Sequence, residues 1–139
     1  MSLRSLIAAL LLIPALTPMM SAQTPTASLK VRHIHIWVKD VKRTKAFYSD
    51  KLGFKVSAEK PGENVEFDGG LWFGKWKESS PLDTSAITIG LGTDSVDAAY
   101  QMLKQKKVDL LNAPSEAHGE WHFIVQDPDG YKIEVEGPK

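Results

Sequence analysis

Apolar and polar side chains alternate along residues 31–39, and this alternation is the first structural signal in the chain. One face would carry Ile34, Ile36 and Val38, and the other Val31, His33, His35 and Trp37. A repeat of two residues is typical of a β-strand with one apolar face. The pattern therefore predicts a strand with two histidines on the face turned away from the core.

A helix is predicted directly after this strand, over residues 41–52. Asp40 stands where an N-cap is expected, and Gly53 is suited to the left-handed position that ends a helix. Val41, Ala46, Phe47 and Leu52 are available for its buried stripe. Three short strands are predicted next, at residues 54–59, 64–67 and 71–76, because turn-forming residues separate them.

The second half of the chain repeats this order. Residues 86–91 alternate again, Ser95 can cap a helix from Val96 to about residue 106, and residues 108–111 form a strand. Residues 121–126 and 131–136 form a hairpin around an Asp-Pro-Asp-Gly turn. Val96 lies 55 positions after Val41, and Ser95 lies 55 positions after Asp40. The sequence therefore indicates an internal duplication, with two βαβββ halves that share one core.

The N-terminal segment has the order of a secretory signal. Arg4 is followed by an apolar run at residues 6–16 and by small residues at 21 and 22. We expect residues 1–22 to be removed, residues 23–30 to be a flexible linker, and the mature protein to be secreted or periplasmic. The apolar run is shorter than the roughly 20 residues that span a bilayer, so no stable membrane insertion is expected after cleavage. An uncleaved membrane anchor is the alternative.

Composition excludes several classes of function. The chain has 17 basic and 17 acidic residues, which leaves no excess charge for binding nucleic acid. It has no cysteine, so disulfides, thiolate metal ligands and thiol nucleophiles are excluded.

Three sequence features carry a family resemblance. They are His33 with Val38 and Asp40, Ala46-Phe47-Tyr48 with Leu52-Gly53-Phe54, and Asp127-Pro128-Asp129-Gly130 followed by Ile133-Glu134. On these features, residues 31–137 resemble the vicinal oxygen chelate superfamily of glyoxalase I, fosfomycin-resistance enzymes, extradiol dioxygenases and bleomycin-binding proteins. The resemblance implies an α+β fold in which two βαβββ modules form a curled mixed β-sheet cup, with the helices outside. It also implies a homodimer.

The resemblance assigns the metal and catalytic positions. His33 stands where the family's first metal ligand stands, and Glu134 where its last one stands. The divalent metal in such sites would be zinc, nickel, iron or manganese. His33 and Glu134 are therefore the candidate catalytic residues, either as metal ligands or as an acid/base pair.

The remaining metal positions argue against a complete site. The 55-residue shift places Thr88 where some relatives carry a second histidine. Overlaying Gly70 on Gly130 sets Gly74 opposite Glu134, at a position that supplies a carboxylate in glyoxalase I. Two protein ligands fall short of the three that a catalytic metal usually needs. We therefore expect no cofactor, although a site rebuilt from the other histidines is the alternative.

Two hypotheses for function follow. The side chains expected to line the cup are His35, Trp37, Trp72, Gly74, Thr88, His122 and Ile124. Flat rings with few polar groups favour a binding protein for a small, partly aromatic or apolar organic molecule, with Gly74 leaving a notch between tryptophans. The alternative is a glyoxalase-like lyase or isomerase, or a dioxygenase-type enzyme, that uses a metal or the His33–Glu134 pair.

Overall fold

The first module contains four strands and one helical segment in the computed structural model, which describes residues 30–139. Its elements are β1 (Ile34–Val38), α1 (Val41–Ala46) with a π-helical continuation (Phe47–Lys51), β2 (Val56–Lys60), β3 (Asn64–Phe67) and β4 (Leu71–Lys75). The strand order is β1-β4-β3-β2, with β1 parallel to β4. The predicted signal sequence and residues 23–29 of the predicted linker lie outside the described residues.

The second module repeats this topology and adds one strand. Its elements are β5 (Thr88–Gly92), α2 (Val96–Gln105), β6 (Asp109–Leu110), β7 (Ser115–Ala117), β8 (Glu120–Gln126) and β9 (Lys132–Gly137). The strand order is β5-β9-β8-β6, with β5 parallel to β9 and β7 paired with β8. The sequence did not predict β7, because residues 112–119 show no apolar alternation. No helix within residues 30–139 is long and apolar enough to cross a membrane.

The two mixed sheets confirm the predicted α+β fold. The predicted helix caps are confirmed as well. The Asp40 side chain accepts a hydrogen bond from the Arg43 N–H, and Ser95 caps α2 in the same way. Gly53 has φ +82, in the left-handed region that glycine tolerates best. These caps fix where each helix begins and where the first one ends.

The buried stripe of the first helical segment differs from the prediction. Val41, Thr44 and Tyr48 are buried at helical spacing, whereas Ala46 is exposed. The Tyr48 side chain is fully buried and its hydroxyl donates to Asp127. A buried acceptor from the other module therefore satisfies this hydroxyl.

Each sheet contributes one face to the shared core. The buried core residues on the two sheets are Ile36, Val38, Val65, Phe67, Phe73, Ile89, Phe123, Val125, Ile133 and Val135. Tyr48 packs on the same face of the first sheet, 4.5 Å from the Phe73 ring centroid. The strand face opposite to this core is called the open face of each sheet below, and it carries the candidate site.

An inter-module latch joins the β8–β9 turn to the first module. The Asp129 carboxylate, whose side chain is 0% exposed, accepts hydrogen bonds from the Lys39 N–H, Arg43 Nη2 and the Thr44 hydroxyl. The Tyr131 hydroxyl donates to the Trp37 carbonyl at 2.8 Å. The turn of the second module therefore fixes the end of β1 and the start of α1.

The buried carboxyl of Asp127 gives the latch a pH dependence. Burial raises the pKa of Asp127, outweighing the backbone N–H groups that lower it. The folded state therefore holds this proton more tightly than the unfolded chain. The contribution of Asp127 to the free energy of unfolding is present in full below pH 3.8 and is lost as pH rises through the raised pKa.

Asp127→Asn cannot titrate, although its amide can still accept from the turn N–H groups. We expect its free energy of unfolding, relative to the original protein, to increase as pH rises from about 4 to 7. Urea denaturation at a series of pH values measures this difference. Asp68→Asn, at an exposed carboxylate, serves as the control. A difference between Asp127→Asn and the original protein that stays constant with pH would contradict the prediction.

Candidate functional site

The open face of the first sheet carries an aromatic wall formed by His33, His35, Trp37 and Trp72. The two strands place these side chains together because β1 and β4 are parallel neighbours with His35 registered against Trp72. The His35 ring centroid lies 3.7 Å from that of Trp72 and 4.1 Å from that of Trp37. His33 lies 5.6 Å from Trp72. The imidazole of His35 therefore sits between two indole rings.

Gly74 makes this arrangement possible in a way that the sequence did not predict. It is registered against Trp37, and a Cβ at Gly74 would lie 2.5 Å from His35 Nε2 and 3.1 Å from the Trp37 ring. The predicted notch is therefore already filled by the wall's own rings. Glycine is needed here for close approach of a side chain, since its φ is not in the left-handed region.

The surroundings of His35 favour its neutral imidazole form. Burial, and after it the neighbouring His33, lower the pKa of His35 below its usual value. Among residues 30–139, His35 Nε2 is the one buried side-chain nitrogen or oxygen without a hydrogen-bond partner. A neutral ring between two indoles acts as part of an apolar surface rather than as a charged group.

A cavity of about 260 Å³ borders the wall. Trp37, Trp72 and Gly74 line it together with Trp76, whose ring lies 6.0 Å from that of Trp37. The Trp76 indole N–H donates to the Ser80 carbonyl, which fixes the ring at the edge of the cavity. Three tryptophans therefore surround a small concave space on the first sheet.

The open face of the second sheet carries carboxylates. His122, Glu134 and Glu136 line a cavity of about 470 Å³, and His122 is registered against Glu136. Ile124 is registered against Glu134 on the same face. In the parallel register of β5 and β9, Gly90 is the neighbour of Glu134 and Gly92 is the neighbour of Glu136. Because β5 offers no side chains beside the glutamates, their carboxylates stay accessible.

Thr88 lies apart from both open-face cavities. It is exposed on β5 and lines a third cavity, of about 630 Å³, between the two modules. Ile34, Leu71 and Met102 are among the apolar side chains around that space. In one chain, Thr88 therefore does not share a cavity with the aromatic wall.

The candidate pair is divided between the two modules, because His33 directly precedes β1 and Glu134 lies on β9. Within residues 30–139, no ion pair or hydrogen bond joins the two side chains, and no group of three His, Asp or Glu side chains is arranged to hold a metal ion. The buried His35 Nε2 faces Gly74 rather than another donor. The donors described in one chain therefore do not fit a divalent metal.

The overlay of the two closing hairpins was wrong by two residues. The β3–β4 hairpin pairs Phe67 with Leu71, whereas the β8–β9 hairpin pairs Gln126 with Lys132. The second turn is therefore two residues longer than the first. A glycine at the end of each turn does not mark equivalent strand positions when the turns differ in length.

The strand registers give the correct equivalence. His35 is registered against Trp72, and Gly90, which lies 55 positions after His35, is registered against Glu134. Glu134 is therefore equivalent to Trp72, and Gly74 is equivalent to Glu136. The first module carries an indole, rather than no side chain, at the position of Glu134.

Two residues of the candidate site were missed by the sequence analysis. Glu136 lies two residues after Glu134 on the same strand face, so alternation alone could have identified it. Asn64 lines the cavity beside the wall and is registered against Gly74. Its position depends on the β3–β4 pairing, and the turn residues between these strands do not specify the register.

Substituting Gly74 tests how tightly the wall is packed. Gly74→Ala should displace the His35 ring from between the indoles and lower the free energy of unfolding by about 1 kcal/mol, since overpacking forces side chains off their preferred positions. We expect a change in tryptophan emission as well. Gly92→Ala is the matched control, because a Cβ there meets nothing within 4 Å. Identical emission from the two variants would contradict the described packing.

Comparison with known structures supports the fold. A protein of unknown function from Agrobacterium tumefaciens is 28% identical with a TM-score of 0.68, over 80% of this chain and 95% of that one. An antibiotic binding protein from a Streptomyces species is 23% identical with a TM-score of 0.67, over 83% of this chain and 100% of that one. A lactoylglutathione lyase from Agrobacterium tumefaciens is 20% identical with a TM-score of 0.63, over 81% and 95%.

A search of curated proteins finds no match to this chain. The family model described as the Glyoxalase/Bleomycin resistance protein/Dioxygenase superfamily matches residues 30–135, which include both modules except the last two residues of β9. Duplicated modules, the capped helices and the Asp-Pro-Asp-Gly turn are all within this range. The chain therefore belongs to the Glyoxalase/Bleomycin resistance protein/Dioxygenase superfamily.

Proposed function

We propose that this protein binds a small, partly aromatic or apolar organic molecule against the aromatic wall of the first sheet. The observation that carries the proposal is the packing of His35 between Trp37 and Trp72 beside a cavity of about 260 Å³. Binding sites for small organic molecules combine aromatic surface with a few polar groups. The antibiotic binding protein with the same fold is consistent with this use of the fold.

A tryptophan fluorescence screen tests the proposal. An aromatic molecule that stacks on the wall should change the emission of the purified protein, and Trp37→Phe should reduce this response. Trp121→Phe is the matched control, because Trp121 packs against the core rather than on the wall. A bound ligand that leaves the emission unchanged would remove the wall as its site.

The proposal includes neither a metal nor another cofactor. The two predicted donors lie in different modules, His33 directly before β1 and Glu134 on β9, which supports this view. Purified, dialysed protein should hold less than about a tenth of an equivalent of transition metal by elemental analysis. Stoichiometric zinc, nickel, iron or manganese would contradict it.

Acid/base chemistry is the second candidate function. It is favoured by the cavity of about 470 Å³ that His122 shares with Glu134 and Glu136. A histidine beside a carboxylate can move a proton near neutral pH, as a glyoxalase-like lyase or isomerase requires. The sequence analysis instead predicts His33 and Glu134 as the acid/base pair. Loss of proton exchange from a carbonyl substrate in Glu134→Gln would support the enzyme over the binding protein.

We also propose a homodimer. Strands β1 and β5 are at the edges of their sheets, and β5 has no charged residue. Ile34, Ile87 and Met102 are 53%, 41% and 41% exposed around the cavity between the modules. Edge strands and contiguous apolar surface favour association with another chain. Light scattering after gel filtration should give twice the mass of the mature chain, and a monomer mass would contradict the proposal.

We also propose that the protein is exported. Arg4, the apolar run at residues 6–16 and the small residues at 21 and 22 support cleavage near residue 22, followed by release to the periplasm or the exterior. Mass spectrometry of protein recovered from those fractions should find an N-terminus near residue 23. Protein that keeps its first 20 residues in a membrane fraction would instead support the anchor.

A further inference from the structure

The cavity beside the aromatic wall has a polar side that the proposed function does not use. Asn64 lies on β3, half-buried, and its partner in the antiparallel register is Gly74. Because Gly74 has no side chain, Asn64 has no side-chain neighbour in register on β4, and its partner in register on β2 is Lys60. Asn64 is one of the residues that line the cavity. Within residues 30–139, its side-chain amide makes no hydrogen bond, whereas the Trp76 indole N–H donates to Ser80.

The charges around the cavity balance. Its lining contains two lysines and two glutamates, which are Lys75, Lys77, Glu63 and Glu78. Lys60 pairs with Glu63 at 2.9 Å, so one glutamate also has a partner outside the lining. A site that selects an anion or a cation usually carries an excess of the opposite charge. This lining has none, and so it favours an uncharged ligand.

We infer that Asn64 determines specificity at this site, and that the ligand class is an uncharged planar aromatic molecule with a carboxamide or carbonyl group on its edge. The inference rests on the proposed function, since the wall must first bind the ring. Stacked on the indoles, such a ring would direct its edge toward Asn64 on the neighbouring strand. A primary or secondary amide is the best match, because asparagine both donates and accepts hydrogen bonds. A site of about 260 Å³ suits one or two rings.

Three naphthalene derivatives test the inference in the full-length protein. Naphthamide has the uncharged amide, naphthoate has a charge in its place, and methylnaphthalene has only the ring. By equilibrium dialysis, naphthamide should bind about tenfold more tightly than the other two, which corresponds to one well-made hydrogen bond. Asn64→Leu, close in shape, should remove this tenfold advantage, because leucine neither donates nor accepts a hydrogen bond.

Matched variants separate specificity from folding. Glu66→Gln changes the next residue on the same face of β3, which does not line the cavity, and should leave naphthamide affinity within about twofold. Asn64→Val, with a side chain suited to strands, repeats the test if Asn64→Leu fails to fold. Unchanged naphthamide affinity in a folded Asn64 variant overturns the inference.

The outcomes also distinguish the inference from the proposed function. If all three compounds bind equally and change tryptophan emission, the wall binds rings but Asn64 does not select them, and the inference alone fails. If naphthoate binds most tightly, the site prefers an anion, and the inference that the ligand is uncharged fails. If none of the three binds or changes the emission, the proposed function fails and the inference fails with it.

Discussion

Asp129→Ala is expected to lower the free energy of unfolding by about 3 kcal/mol, the largest effect among the substitutions considered. The Asp129 side chain is fully buried and accepts three hydrogen bonds from the first module, from Lys39, Arg43 and Thr44. Removing it leaves the Lys39 N–H and the Arg43 guanidinium without the carboxylate, whereas the Thr44 hydroxyl keeps the Asp40 carbonyl as an acceptor. The cost of leaving a donor unpaired exceeds the value of a single hydrogen bond. Urea denaturation followed by circular dichroism measures the change.

Arg43→Ala provides the matched comparison for this prediction. The Arg43 side chain is 49% exposed, so water screens its ion pair with Asp129 and the pair contributes less than about 1 kcal/mol. The bonds from Lys39 and Thr44 also remain in this variant. If Asp129→Ala proves no more destabilising than Arg43→Ala, the latch does not hold the two modules together.

Trp72→Ala is expected to weaken naphthamide binding by about thirtyfold. Trp72 contacts both histidines of the wall and lines the adjacent cavity, so its removal takes away one of the stacking surfaces. A large aromatic side chain at the centre of a site typically accounts for about 2 kcal/mol of binding free energy. Equilibrium dialysis measures the affinity, and urea denaturation shows whether the variant remains folded.

Two further variants give this prediction its controls. Trp76→Phe keeps a ring at the cavity edge but loses the hydrogen bond to Ser80, so we expect a smaller loss of affinity than in Trp72→Ala. Trp121→Phe is remote from the wall and should bind naphthamide as the original protein does. Equal affinity in Trp72→Ala and Trp121→Phe would show that the ligand does not stack on Trp72.

Much of the fold could be predicted from short stretches of sequence. Alternation predicted β1, and the cap residues predicted the starts of both helices. The 55-residue spacing between the two helix starts indicated the duplication. These features are local, because an N-cap or a strand face depends on residues a few positions apart. The family resemblance then supplied the arrangement of modules, which the match over residues 30–135 supports.

The candidate site was predicted less well, because it depends on pairing between strands. The aromatic face of β1 followed from alternation, but the contact between Gly74 and His35 required the register of β1 and β4. The position of Glu134 relative to the first module was misjudged, because the longer β8–β9 turn shifts the strand by two residues. Asn64 was missed for the same reason.

The sequence by itself determined where both helices and all strands but β7 lie, and which face of β1 is apolar, since these follow from periodicity and end signals along the chain. Only the tertiary structure decided that the Lys39 N–H bonds to Asp129, 90 residues away, and that His35 fills the space over Gly74. Contacts of this kind depend on turn length, strand register and the packing of one module on the other. None of these leaves a periodic trace in the order of amino acids.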